Sequence, residues 1–589
     1  MSCRQLKELA YRFELELASS PEQLWPLVSD TNRFNRDAGV PEVEALGVGD
    51  NARRRLQLRR LGTTIEWEEE PFEWVSPRRF SVVRRYVRGP VESMVTTATL
   101  APRPDGGTHL VYDVRARPRN LLGRLAIALQ IGVVSRRRFA SVFREYDSSG
   151  AAPPARPARL EPGAAQRIAA ARTALLAAGA DAAAVDRFCT LVAEGDDLSV
   201  RKLRPYVLAD AWEADRRETL ELCLQATRHG LLELRWELLC PLCRGTAASG
   251  ESLDAVAGQM HCETCRIDVT ADFDRSVEIA FRPTPAIRRV APVDFCVGGP
   301  QVTPHIVLQQ LVAPGARRAV TAALEPGRYR LRTLAADSLA VTVAPDGAGE
   351  AEATLAEDGW AADALRVRED VSLTLANATG AEQLFVLERT AWIDGSATAA
   401  EVTALQVYRD LFAAEALRPG EPISVGTLTI VFTDLRGSTR FYRDVGDAPA
   451  FGSVLEHIDV LRESVTASDG AVVKAMGDAI MAVFTRPVAA LQAMFAAQAA
   501  VAGRPLALKV GIHTGPCIAV NQNGLLDYFG STVNLAARLV ALSTGNDVVV
   551  SDAVLSDPEV AELTLRVDPV AGALKGFEGE ALALWRVRA

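Results

Sequence analysis

The sequence predicts a multidomain α+β protein, and three observations carry that reading. Its 589 residues exceed what one hydrophobic core holds, and at roughly one domain per 150 residues they divide into about three to five units. Residues 10 to 146 alternate apolar and polar positions through several short runs and close on one long helical segment, the pattern of an antiparallel sheet with a terminal helix. From Ser424 onward a buried apolar strand, a hairpin and helices are interleaved. The patterned segments taken in order below divide the chain into 1–146, 147–163, 164–275, 276–397, 398–423 and 424–589.

In the first unit, RFELELASSPEQLWPLVSD begins with strand alternation. It then offers Ser20, Pro21 and Gln23 as N-cap, first-turn proline and capping-box partner of a helix. ARRRLQLRR, TTIEWEEEPFEW, RRFSVVRRYV, SMVTTATLAP and THLVYDVRAR follow as strands, and Leu121 to Tyr146 as the closing helix. This order resembles the helix-grip fold of the START-like and polyketide-cyclase-like (SRPBCC) ligand-binding superfamily. The resemblance implies a cavity between sheet and last helix that takes an apolar small molecule; the alternative is a cavity filled by Trp25, Trp67 and Trp74. LLGRLAIALQIGVVSRRRF, apolar and then basic, admits a membrane-surface helix or a core-facing one. Arg124 and Gln130 interrupt it and a closing helix needs one apolar face, so the core-facing reading is the expectation.

Residues 147–163, DSSGAAPPARPARLEPG, are small, proline-rich and aperiodic, as a linker is. Ala164 to Leu239 reads as helical, and a helix followed by GLLELRWELL resembles a winged-helix module. Glu218, Glu221, Glu233 and Glu237 on that helix and wing point to a protein partner rather than nucleic acid. Next come Cys240-Pro-Leu-Cys243 and Cys262-Glu-Thr-Cys265, eighteen residues apart. Two CxxC turns at this spacing present four thiolates, which predicts a structural Zn²⁺ site, a ribbon with no open coordination position. Glu251, Asp254, Glu263, Asp268 and Asp272 around it again disfavour nucleic acid.

Residues 276–397 are dominated by short strands with turns such as EPGRY and NATGAEQ, which predicts an antiparallel sandwich or partial barrel without a site. AAEVTALQVYRDLFAAEAL, Ala399 to Leu417, has helical spacing and breaks at RPGEP. Such a helix either couples upstream state to the segment that follows or simply packs.

That following segment carries the chemistry. TLTIVF is a buried strand ending on Thr433-Asp434, and Gly437, Ser438 and Thr439 open a helix whose free N–H groups suit a polyphosphate. AVVKAMGDAIMAVF reads as a hairpin turning at Met476-Gly477-Asp478, which sets a second carboxylate on a tight turn. Two hard carboxylates near phosphates suit magnesium or manganese. LDYFGSTVNLAARLVAL passes from turn to helix with Asn534 and Arg538 four residues apart on one face.

The segment Ser424 to Arg588 resembles a class III nucleotide cyclase catalytic domain of ferredoxin-like α/β fold. The resemblance implies that Asp434 and Asp478, with the Leu435 carbonyl, hold two Mg²⁺ or Mn²⁺ ions. It also implies that Lys474 and Asp527 read the purine, that Asn534 and Arg538 form the transition-state pair, and that Lys575 in GALKGF binds phosphate. The region upstream is similar to the uncharacterised regulatory region preceding some bacterial cyclase domains. Adenine shows an amino donor beside a ring acceptor, which Asp527 and Lys474 complement, so the expected substrate is ATP and the product 3′,5′-cyclic AMP. Family sites form between two catalytic domains, and one copy here carries both halves, so a homodimer is expected. A catalytically silent nucleotide-binding protein and a zinc-containing scaffold are the alternatives. His513, between an apolar strand and a Gly-Pro turn, reads as structural, and Cys517 as a small buried thiol.

A net charge of −9 gives no overall pull toward nucleic acid or anionic membranes. MSCRQLKELAYRFELEL lacks a signal-peptide core, no run reaches the ~18 apolar residues of a membrane helix, and five of the nine cysteines lie scattered. A cytoplasmic protein is expected.

Overall fold

The computed structural model describes residues 6–589 except 61, 150–157, 257, 335–337, 391–394, 414–416, 419, 572–573 and 578–581. The first unit begins with the strand Leu9–Leu17, which turns Phe13, Leu15 and Leu17 inward and pairs antiparallel with Thr108–Pro118 from Leu9↔Ala116 to Leu17↔Thr108. Val91–Pro102 and Arg79–Arg88 continue the sheet. Pro21–Val28 starts as expected, with Ser20 and Gln23 closing a capping box. Aromatic rings tie the closing helix down: Phe34 of the helix Thr31–Asp37 stacks on Phe143 at 4.8 Å, and Tyr112 of the sheet meets Phe139 edge-on at 5.4 Å. Trp25 and Trp74 join this core, while Trp67 packs on Tyr86.

The closing helix corrects one expectation. It runs as α-helix Leu121–Ile127, π-helix Ala128–Ser135 and α-helix Arg136–Ser148, and most of the apolar side chains of its first half point away from the core. Leu121, Leu122, Leu125, Leu129 and Val133 are 73, 74, 68, 61 and 55 % exposed. Gly123, Ile127, Ser135, Phe139 and Val142 already fill the sheet-facing side, with Gly123 and Gly132 close against Pro90 and Tyr11. The segment thus holds more apolar residues than one buried face uses. Of the expected linker 147–163, residues 150–157 lie outside the described residues.

The middle region packs Ala164–Ala177, Ala182–Glu194, Pro205–Trp212 and Arg216–Arg228 against a three-stranded sheet of Thr246–Gly250, Leu232–Leu239 and Val277–Pro283. The last of these strands lies beyond the boundary expected near residue 276 yet joins the middle region's sheet, because Ile279 and Phe281 bury beside Trp236. The acidic residues of the expected wing serve internal pairs, Glu233 with Arg282 and Glu237 with Lys202. The β-rich region is continuous with the first unit's sheet. Ile306–Val312 pairs with the short strand Glu73–Val75, and Trp74 Nε1 donates to the Ile306 carbonyl at 2.9 Å, giving fifteen strands in one sheet.

The C-terminal region is an eight-stranded mixed sheet in the order Ala471–Met476, Ala479–Phe484, Ile423–Arg436, Ala507–Gln522, Val548–Ser551, Leu584–Arg588, Arg566–Pro569, with Leu525–Phe529 paired to Ala507–Gln522. On Ile423–Arg436, Val431 and Leu435 face the helices Asp447–Ala467 and Pro487–Ala500, while Leu428, Ile430 and Phe432 face the middle region. The single helix expected over Ala399–Leu417 is two, Ala399–Thr403 and Gln406–Leu411, with residues 414–416 outside the described residues. Leu405 is extended (φ −90°, ψ 133°), and the kink lets Tyr408 bury edge-on against Trp236 at 5.9 Å. Among the described residues no helix is long and apolar enough to cross a membrane.

Candidate active site

The strand Ile423–Arg436 runs past the expected stop at Asp434, so this carboxylate sits within its last turn of pleat. Its neighbour Ala479–Phe484 pairs Phe432 with Met481, and Ile480 N donates to Thr433 Oγ1 at 3.2 Å. Continuing that register brings Asp434 alongside Ala479, next to Asp478, on strands about 4.8 Å apart. Asp478 follows Gly477, whose φ of +68° makes the hairpin turn. Asp478 Oδ2 is buried without a hydrogen-bond partner. Asp434 Oδ2 stands 3.4 Å from Lys509 Nζ on the adjoining strand, with Leu435 beside it buried. An orphaned carboxylate oxygen beside a second carboxylate, already faced by one ammonium, fits a hard divalent cation.

Gly437, at φ +80°, precedes the helix Ser438–Val445 and supplies no side-chain cap, so Ser438 and Thr439 stand in an uncapped first turn.

The two residues expected to read the base meet. Lys474 Nζ donates to Asp527 Oδ2 at 2.5 Å, although the two are 53 residues apart, and Asp527 Oδ1 accepts from Tyr528 N at 2.8 Å. Asp527 is buried at 5 %, while the lysine side chain keeps 35 % exposure. The kinked helices cover this end. Gln406 Oε1 accepts from Val472 N at 2.8 Å, Arg409 donates to the Leu526 carbonyl at 3.1 Å and lies over the Tyr528 ring at 5.2 Å, and Tyr528 Oη donates to Thr403 Oγ1 at 3.0 Å.

Asn534 and Arg538 are exposed on the outer face of Ser531–Leu539, whose inner face buries Leu535, Ala536 and Leu539. Among the described residues no hydrogen bond or ion pair joins either to Asp434 or Asp478. Lys575 is exposed in a turn, and its neighbour Leu574 packs with Leu535 and Leu539, which brings the lysine to the same helix. His513 Nδ1 lies 2.6 Å from Ser551 Oγ, and burial pulls its pKa down to about 4. Burial pushes the Cys517 thiol up to about 12. Both sit as structural residues do.

Lys509 is the residue the sequence reading missed. Its signal was a lone charge in the apolar strand LALKVGIH, at the position that register sets opposite Asp434.

The four cysteines form a second centre. Their sulfurs lie within 4.8 Å of one another, all four residues are buried, and Cys243 Sγ is 3.7 Å from Cys262 Sγ. A tetrahedron with arms of about 2.3 Å has edges of about 3.8 Å, so the spacing fits a metal. Each CxxC turn ends on a left-handed arginine, Arg244 at φ +56° and Arg266 at φ +54°, whose N–H donates back to the carbonyl of Cys240 or Cys262.

Residues 421–566 match the family model described as adenylate and guanylate cyclase catalytic domain, and residues 12–144 that described as polyketide cyclase / dehydrase and lipid transport. Residues 167–295 match a family of unknown function. The chain therefore carries a class III cyclase catalytic domain behind an SRPBCC-type N-terminal domain. Similar curated proteins are an adenylate cyclase of Neurospora crassa, 28 % identical over 22 % of this chain and 7 % of the relative, and adenylate cyclase 1 of Rhizobium meliloti, 28 % identical over 22 % and 23 %. The match thus spans a small part of these relatives' own length. The solved adenylyl cyclase CyaB from P. aeruginosa aligns at 22 % identity over 29 % of this chain and 96 % of that one, with a TM-score of 0.26.

Proposed function

We propose that this chain is an adenylate cyclase that converts ATP to 3′,5′-cyclic AMP and pyrophosphate at sites shared by two copies. The observation that carries the reading is the Lys474–Asp527 contact, a donor and an acceptor held 2.5 Å apart as the complement of the adenine edge. Guanine reverses that edge and leaves both residues mismatched.

The ribose 3′-oxygen attacks the α-phosphorus, its proton is lost, the bond to the β-phosphate oxygen breaks and pyrophosphate leaves. Magnesium or manganese, held by Asp434, Asp478 and the Leu435 carbonyl, would supply charge neutralisation and a more acidic 3′-hydroxyl. Gly437, Ser438 and Thr439 offer backbone donors to the polyphosphate, and Lys575 a further charge. Asn534 orients the ribose, and Arg538 neutralises charge growing on the α-phosphoryl group. The four cysteines hold structural zinc. A second reading, a nucleotide-binding protein silent until released, is favoured by the helices Ala399–Thr403 and Gln406–Leu411 lying over the Lys474–Asp527 pair.

The test is product formation. Purified full chain with ATP and Mn²⁺ yields cyclic AMP, and with GTP far less cyclic nucleotide; no product at any metal concentration leaves the silent reading. Lys474→Glu with Asp527→Cys weakens ATP use and admits GTP, and an undiminished ATP preference refutes the base assignment. Cys262→Ser lowers bound zinc measured by elemental analysis, whereas unchanged zinc refutes the four-cysteine site.

A further inference from the structure

We propose that the outer face of the closing helix of the first unit docks on an anionic phospholipid bilayer, lying in its surface. Leu121, Leu122, Leu125, Leu129 and Val133 fall on one side of the helix at mainly four-residue spacing, and each is more than half exposed. The fold does not use them, because the opposite side is already buried on the sheet. Val87, a further exposed apolar side chain at 59 %, stands at the end of the strand whose Val87 and Tyr86 carbonyls accept from Arg119, two residues before the helix.

The charge along the segment is one-sided. Residues 114–144 contain eight arginines and no acidic residue, in a chain whose net charge is −9. Val133, Arg136, Arg137 and Arg144 line one shallow depression beside the stripe, where guanidinium groups can take lipid phosphates while the leucines enter the acyl boundary. A nucleic acid would engage the arginines and leave the five apolar side chains in water. A second copy paired twofold through the same face would set arginine cluster against arginine cluster. A bilayer satisfies both parts at once. Because no helix among the described residues is long enough to span, the contact is interfacial.

The experiment is co-sedimentation of the full chain with vesicles of phosphatidylcholine alone or mixed with phosphatidylserine. Binding is expected only with phosphatidylserine, and it weakens as salt rises. Leu121→Asp/Leu125→Asp/Leu129→Asp and Arg136→Glu/Arg137→Glu/Arg144→Glu should each cut partitioning by about tenfold or more. All six positions are exposed, and an unchanged circular-dichroism melt confirms each variant folded. Three results overturn the proposal: wild type that stays in the supernatant, binding that survives the leucine variant, and a dimer that the leucine variant dissociates without any vesicle binding.

Discussion

The two ends of the catalytic sheet stand in opposite states. At the Lys474–Asp527 end the carboxylate, hydroxyl and amide groups are paired, Lys474 with Asp527, Asp527 with Tyr528 N, Tyr528 Oη with Thr403 and Gln406 with Val472, and Arg409 Nη2 alone of these side chains is buried without a partner. At the Asp434–Asp478 end Asp478 Oδ2 is buried and unpartnered, and Asp434 has Lys509 at 3.4 Å. A buried unsatisfied oxygen costs about 1–3 kcal/mol, a debt that a bound cation would remove. One end thus carries an unpaired carboxylate oxygen, while the helices Ala399–Thr403 and Gln406–Leu411 pack over the other.

Asp478→Asn breaks the comparison most severely. Cyclic AMP formation should fall by about 10³-fold or more, while the unfolding midpoint stays level or rises, since the charge on a half-buried carboxylate with one unpartnered oxygen is gone. A large loss of stability would mean that Asp478 already has a partner in the folded chain. Gln406→Ala with Arg409→Ala sharpens the other end. Removing four side-chain hydrogen bonds, two of them to the sheet, and the cation–π contact should cost about 4 kcal/mol of stability yet raise initial rates about threefold or more, by populating the released state. Rates that merely track the folded fraction would make these helices plain packing.

The smallest effect concerns His513. Its folded pKa of about 4 lies below the unfolded value near 6.5, so the unfolded chain binds the extra proton and stability falls as pH drops through that window. His513→Gln should flatten the thermal-stability profile between those pH values and leave it unchanged above pH 7. An unaltered slope would show that the histidine is solvated and titrates normally.

What the sequence disclosed was local chemistry. The Gly477-Asp478 turn, the Ser20–Gln23 capping box and the two CxxC knuckles each depend on residues within a few positions of one another. Even the Lys474–Asp527 meeting was reachable, because its motif pieces came in a known order. What stayed hidden depended on the other side of an interface. LLGRLAIALQIGVV has the composition of a core helix, and only the prior filling of the sheet-facing side by Gly123, Ile127 and Phe139 turns its leucines outward. The edge pairing of Glu73–Val75 with Ile306–Val312 uses backbone groups that any sequence supplies. The kink at Leu405 answers to the Trp236 pocket, formed over 160 residues earlier in the chain.

The central claim is that the two ends of one sheet serve different sites, each completed by a second copy. Asp434→Ala and Asn534→Ala should each be nearly inactive alone. Mixed in equal amounts before assembly, about half the dimers pair one variant with the other, and each such dimer has one site with both lesions and one with neither. Cyclic AMP formation should return to roughly a quarter of the wild-type rate. If tagged subunits demonstrably exchange and no activity returns, the metal carboxylates and the Asn534–Arg538 pair act within one chain, and the shared site is wrong.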